Sequence, residues 1–461
     1  MSSEHTHLSS ADVAWLHMDR PTNLMVINSV LLFDERLDWE RLTEVVRARL
    51  VEAYPRFRER VIDNRLRPTG PHWEDDPDFD LARHLHRRGL PAPADESALQ
   101  ALVADLASVA LERSKPLWDM YFIDGPGHGS AVIVRMHHCI ADGIALAQVL
   151  LSLTDTSSSS PAEPPQLPVA SPHSSSVLRT AIGVSLSLLN EARRTLARPR
   201  QALELAGAVA ANARAAAKLL LTAPDPASLL KRDHGATRGV AWSEPLSLEQ
   251  ARSIAHAQGA TVNDVLLTAV SGALRDYLLA HGEEPQAIRA MVPVNLRARE
   301  EPVPRELGNR FGLVYLTLPV DRSSRRERLS ELKRRMDEIK DSPEGPVSYA
   351  LLETVGLAPQ EIESRLVDLI TAKATAVMTN VPGPRDPVFL AGSPLRTVLV
   401  WAPTAGSVGM SVSIFSYGGK ITVGVLVHAQ LVPDPHKIVG RLQRELTAMA
   451  RLAPVARAGA A

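Results

Sequence analysis

The chain has 461 residues, with 51 Lys and Arg set against 52 Asp and Glu for a net charge of −1, so its totals offer no basic surface for nucleic acid. That length suffices for two domains with sizeable cores. Cys139 is the only cysteine, which excludes an internal disulfide framework and fits a reducing compartment.

The opening run MSSEHTHLSS is polar and lacks the apolar stretch of a secretory leader, and no segment approaches about 18 consecutive apolar residues. The expectation is a cytoplasmic protein whose contact with an inner membrane or a lipid droplet, if it makes one, is peripheral.

In chain order, Leu24–Phe33 is apolar and β-branched enough for a strand. Trp39, Leu42, Val46 and Leu50 recur at helical spacing, which predicts an amphipathic helix over Asp38–Ala53. Leu99, Leu102, Val103, Leu106 and Ala110 mark a second. Trp118–Ile123 and Ala131–Met136 flank the turn sequence DGPGHG and read as a hairpin. The apolar Ile144–Leu153 suits a buried helix. Thr154–Ser176 is a Ser/Pro stretch that cannot build a packed core.

An Ala-rich helix former follows, Val177–Ala223, which Pro199 should break in two. It carries Arg179, Arg193, Arg194, Arg198, Arg200, Arg214 and Lys218 against only Glu191 and Glu204. Two readings stay open for it. One is a basic amphipathic element lying on anionic lipid; the other is an interdomain helical hairpin with one packed face. Further on, Asn263–Ala280 predicts a long helix. Ile288–Leu296, Leu313–Pro319, Ala376–Val381, Thr397–Trp401, Met410–Ser416 and Lys420–Val427 are strand candidates, and Pro435–Arg451 is a closing helix. The fold class is therefore α/β, with two mixed domains at 1–153 and 235–461 joined by a linker and helical segment at 154–234.

The chemistry concentrates in Met136–Ala145, MHHCIADGIA. A histidine displayed where a strand gives way to a helix suits general-base work, because its pKa lies near working pH. His137 and His138 occupy that place, and Asp142 can orient an imidazole or fix the turn that holds it. Gly143 lets backbone approach without a side chain in the way. The competing reading is a satisfied core histidine pair with Asp142 as a helix N-cap. No metal is expected, since zinc wants three or four clustered ligands and no HxxxH or CxxC set occurs.

Several further blocks accompany that run in a fixed order. They are SADVAWLHMDRPTNLM (Ser10–Met25), DPDFDLARHL (Asp76–Leu85), KPLWDMYFIDG (Lys115–Gly125), TVNDVLLTAVSGALR (Thr261–Arg275), VPVNLR (Val292–Arg297), LGNRFG (Leu307–Gly312), TNVPGP (Thr379–Pro384) and GMSVSIFSYGGKITVGV (Gly409–Val425). From Leu8 to about Leu452 the chain resembles the bacterial wax ester synthase/acyl-CoA:diacylglycerol acyltransferase family. That family belongs to the HHxxxDG superfamily of CoA-dependent acyltransferases, with chloramphenicol acetyltransferase and peptide-synthetase condensation domains.

The resemblance implies two chloramphenicol-acetyltransferase-like α/β domains with an active-site tunnel at their interface. It implies transfer of a long acyl chain from acyl-CoA, a co-substrate, to diacylglycerol or a fatty alcohol, with no cofactor and no covalent acyl-enzyme. His138 matches the family's base and His137 the support of the turn; the base's other nitrogen is expected to bond a backbone carbonyl. Asp142 is expected to pair with Arg297 from the other domain. Asn263 of the ND block is a candidate oxyanion donor or a helix cap, both roles staying open. Asp264 would anchor the helix N-terminus. Pro116, Leu117 and Trp118 would line the substrate channel or pack the core. Arg310 is a candidate contact for CoA phosphate. A carrier-protein thioester as donor and a catalytically weak lipid-binding protein are the alternatives. The sequence sets neither acceptor nor oligomeric state.

Overall fold

In the computed structural model, described for residues 6–63, 70–125, 129–159, 211–297, 304–340, 342–357 and 360–452, the apolar runs become central strands of two mixed sheets. The first sheet orders its strands Phe389–Leu390, Ser393–Trp401, Val26–Phe33, Ser130–His137, Trp118–Asp124 and Leu85–Gly89. Val26–Phe33 and Ser130–His137 are buried throughout, because both faces of the sheet are covered. Residues alternate between the faces. Val30, Leu32 and Ile133 meet Leu99 and Val103 of helix Glu96–Ala107, whereas Ile27, Leu31 and Phe33 join Leu42, Val46 and Leu50 in the main core. The amphipathic segment is helical over Trp39–Val46 and then widens into a π turn at Arg47–Val51.

The hairpin has Trp118 opposite Met136 and Asp124 opposite Ser130. At its turn end a Cβ on Gly129 would lie 2.0 Å from the Phe33 carbonyl oxygen, so only glycine allows this approach. The second sheet runs Phe311–Leu318, Ile288–Asn295, Ala376–Pro382, Met410–Tyr417, Lys420–His428 and Arg238–Trp242, with Leu246–Ser247 also pairing with Lys420–His428. Helix Val262–Ala280 starts on a capping box between Thr261 and Asp264. It packs with helix His436–Ala450 over one face of this sheet through Val265, Leu442 and Leu446.

Ser393–Trp401 belongs to the C-terminal half of the chain but pairs with Val26–Phe33, setting Val398 opposite Leu31 and Trp401 opposite Asn28. The same strand touches the second sheet. Thr397 Oγ1 lies 2.8 Å from Thr422 Oγ1, and the Val400 N–H donates to Ser413 Oγ at 3.2 Å. A Cβ on Gly424 would stand 2.7 Å from Leu399 and Trp401, so the contact is close-packed. A division of the chain at residue 235 therefore does not divide the sheets.

Helices Ser10–Met18, Leu248–Gln258, Arg325–Lys340, Glu344–Val355 and Gln360–Thr371 were not among the predicted elements, nor was the small sheet of Thr6–His7, His72–Asp75 and Glu59–Ile62. Of the Ala-rich segment, residues 211–221 are helical. The expected break at Pro199 and most of the Ser/Pro linker lie outside the described residues. Among the described residues, no helix is long and apolar enough to cross a membrane.

Candidate active site

Strand Ser130–His137 ends in a tight turn that sends its two histidines apart. The His137 N–H donates to Leu117 O at 2.9 Å, the His138 N–H to Met25 O at 2.8 Å, and the Ile140 N–H to His137 O at 3.0 Å. His137 Nδ1 accepts from the Cys139 N–H at 3.1 Å, which places the ring proton on Nε2, 3.8 Å from Asp19 Oδ2. Asp19 also accepts from the Met25 N–H at 2.8 Å and from Arg113 at 3.0 Å. Burial pushes its carboxyl up, but His137 and these donors bring it down to about 2. His137 thus fastens the turn.

His138 is buried with its ring stacked on Trp15, centroids 4.0 Å apart and planes at 22°, and tilted against Phe311 at 5.5 Å. Burial lowers its pKa to about 4, against the opposing help of Asp142 and Asn309, so the imidazole is neutral at neutral pH. Its carbonyl accepts from Asn309 Nδ2 at 2.7 Å. The expected backbone carbonyl beside the ring is that of His138 itself, which helps to raise the basicity of the imidazole against its burial.

Asp142 is the N-cap of helix Gly143–Ser152, its Oδ1 accepting from the Ala145 N–H at 2.8 Å. Its Oδ2 accepts from Arg297 Nη1 at 2.5 Å and from the Arg310 N–H at 3.1 Å. Arg297 Nη2 donates to Gly308 O at 2.8 Å, so the pair ties both halves of the chain together below the histidine turn. At Gly143 a Cβ would meet only Ile27 Cδ1, at 4.0 Å, so no protein contact demands glycine there.

One cavity receives His138, Asp142 and Gly143 from the first half and Met291, Leu313 and Val377 from the second. Counted out to its mouth, it holds about 1410 Å³ of empty space. Its walls are mostly apolar, and Thr379 and Asn380 are among its few polar side chains. A neutral base in a large apolar cavity suits proton transfer on a lipid-like substrate.

The family model described as the wax ester synthase/diacylglycerol acyltransferase catalytic domain matches residues 8–266, and the WS/DGAT C-terminal domain matches residues 307–450. The chain belongs to this family. It is accordingly an acyltransferase. It is 30% identical over 466 residues to a probable diacylglycerol O-acyltransferase of Mycobacterium tuberculosis, covering 98% of this chain and 96% of that protein. A putative diacylglycerol O-acyltransferase of Mycobacterium bovis matches to the same extent. Among solved structures, the wax ester synthase/diacylglycerol acyltransferase of Marinobacter aquaeolei VT8 superposes with a TM-score of 0.69 at 21% identity, covering 97% of this chain and 100% of that one. The first condensation domain of the calcium-dependent antibiotic synthetase gives 0.61 at 16% identity over 98% and 97% of the two chains. These two likenesses are of fold, and they fit the paired α/β architecture.

Within this family member, three expected substrate contacts sit elsewhere. Pro116, Leu117 and Trp118 do not border the His138 cavity. Trp118 is fully buried, its indole N–H donating to Phe57 O at 2.8 Å and its ring stacked on His84 at 4.5 Å. Leu117 packs in the same core. Asn263 does not cap its helix, since Thr261 does; its Oδ1 accepts from Asn380 Nδ2 at 2.7 Å. Asn380, not Asn263, borders the cavity. Asp264 accepts from the Thr261 N–H at 2.8 Å and holds the helix start. Arg310 has an exposed side chain, and its backbone serves Asp142. Trp15, Asn309 and Phe311 surround His138 but were not singled out from sequence, although each stands inside a quoted block.

Proposed function

We propose that the protein transfers a long acyl chain from acyl-CoA to the hydroxyl of diacylglycerol or of a long-chain alcohol, with His138 as general base. The hydroxyl oxygen attacks the thioester carbonyl while its proton passes to His138 Nε2. The tetrahedral intermediate collapses with loss of the thiolate, which takes the proton back from the imidazolium. Ester and free CoA result, with no acyl-enzyme. The observation that carries this reading is the neutral His138 bordering an apolar cavity built by both halves.

A lipid acceptor reaches such a cavity from a lipid surface, and peripheral docking there is part of the reading. In support, Val294, Leu220, Leu221, Leu357, Ile362 and Leu369 are exposed on or next to elements that line the cavity. The test is CoA release from palmitoyl-CoA with dioleoylglycerol, hexadecanol or no acceptor, the lipid products being separated. Acceptor-dependent release that His138→Ala abolishes is expected. Release insensitive to His138, or none from folded protein, would overturn the reading.

A further inference from the structure

The cavity can be followed strand by strand away from His138. Phe311, Leu313 and Tyr315 all border it, spaced two residues apart on one face of strand Phe311–Leu318. Phe311 lies against the His138 ring, with centroids 5.5 Å apart. Tyr315, four residues on, is therefore about 13 Å further along the strand. Register carries the same direction across the neighbouring strands: Pro293 pairs with Leu313, Met291 with Tyr315, and Val377 adjoins Met291. All three of these partners border the cavity as well. It is thus a channel that starts at the base and runs to the row Tyr315, Met291 and Val377.

Leu219 closes that far row. It is 6% exposed, borders the cavity and packs in one cluster with Met291, Tyr315 and Val377. The next residue, Leu220, also borders the cavity but is 39% exposed, so solvent begins just beyond Leu219. The backbone that carries both is anchored. Buried Lys373 Nζ donates to the carbonyls of Leu219 and Leu220 at 2.6 and 2.7 Å. Arg289 Nη1 donates to Ala223 O at 2.7 Å and to Lys373 O at 2.9 Å. Cations on the last carbonyls of a helix also suit its dipole. Lys218 pairs with buried Glu344 at the start of helix Glu344–Val355, whose Leu351 and Leu352 form a side wall. With its main chain held in this way, Leu219 can yield to a lengthening ligand only by changing rotamer.

We propose that Leu219 is a specificity-determining residue: it ends the channel that holds one substrate alkyl chain and so sets the longest chain accepted. This rests on the reading of the cavity as the site of acyl transfer. A chain whose reacting carbonyl or hydroxyl stands at His138 runs past Phe311 and Leu313 and meets Leu219 beside Tyr315. Up to that length each added methylene leaves water for an apolar wall and tightens binding about fourfold. Beyond it, the next methylene must displace Leu219 or lie in water past Leu220, and the gain stops. The chain belongs either to the acyl donor or to the acceptor, and the chemistry of the stop is the same for both.

The test is calorimetric binding of the straight-chain alcohols from decanol to eicosanol to the full chain, as wild type, Leu219→Ala and Leu219→Phe. Affinity should rise with length and then level. The break should move about two carbons longer in Leu219→Ala and about two shorter in Leu219→Phe. Affinity that climbs without a break in the wild type would overturn the proposal, as would an unmoved break in a folded variant. Lower melting with an unmoved break is what a purely packing role predicts. Steady-state rates then assign the chain, from kcat/KM across acyl-CoA lengths with hexadecanol and across alcohol lengths with palmitoyl-CoA. A shifted limit in the first series names the acyl group, and in the second the acceptor; a shift in neither overturns the proposal. An active His138→Ala protein would remove the base reading, while the binding series still decides on Leu219.

Discussion

Asp142 Oδ2 and Arg297 Nη1 meet at 2.5 Å although the two residues lie 155 positions apart. The pair is buried, and the same carboxylate caps the helix that follows the histidine turn. Charge, cap and interface are joined in one side chain. Removing either partner strands the other in a medium that solvates it poorly.

Asp142→Asn and Arg297→Met are each expected to lower unfolding stability by about 3–5 kcal/mol and to lower activity. Urea unfolding of both variants and of the double variant checks this. The double variant should lose less than the sum of the two, because the second change no longer leaves a lone charge.

The depressed pKa of His138, about 4 through burial, sets an acid limit. His84, also lowered to about 4 mainly by burial, acts in the same direction. An unfolded imidazole takes its proton near 6.5 and the folded one only near 4. Between those values the unfolded chain binds more protons, so stability should fall as pH drops from about 6.5 toward 4. Over the same window kcat/KM should stay flat until His138 titrates. Thermal melts and rate profiles at stepped pH measure both, and an activity inflection at 6.5 would contradict the burial of a neutral base.

Trp118 holds a core position with a satisfied indole N–H, so Trp118→Ala should cost about 3–5 kcal/mol of stability. Acyl-chain preference, read from competing acyl-CoA donors of different length, should not change in the surviving folded fraction. A shifted preference with intact stability would restore this residue to the channel.

Asn263 acts on the cavity only through Asn380, to which it is bonded at 2.7 Å. Asn263→Ala and Asn380→Ala should therefore lower turnover through one shared interaction, and the double variant should be no worse than the poorer single. Additive losses in steady-state kinetics would separate the two residues.

Central strands were legible from sequence where β-branched and large apolar residues dominate, as in Val26–Phe33, or alternate with small serines, as in Met410–Tyr417. Helix Arg325–Lys340 escaped for the opposite reason. Its surface is laced with ion pairs such as Arg334 with Glu331, and Leu329 and Leu332 are its deeply buried apolar residues, so the periodic signal is thin. In the site, the histidine run announced itself because its members are contiguous. Trp15 and Asn309 did not, because their contacts with His138 join distant parts of the chain, Asn309 across 171 positions. Membership of a motif block also says nothing about which way a side chain faces, as Trp118 and Asn263 make plain.

The strand Ser393–Trp401 makes the two halves poor candidates for life apart. A fragment ending near residue 234 would present Val26–Phe33 as a bare, largely apolar edge, a template for pairing with any other extended chain. Newly made protein must hold that edge unsatisfied until synthesis has passed residue 401. The last third of the polypeptide thus acts as the cover for its beginning, and the molecule reaches its native state only as a whole.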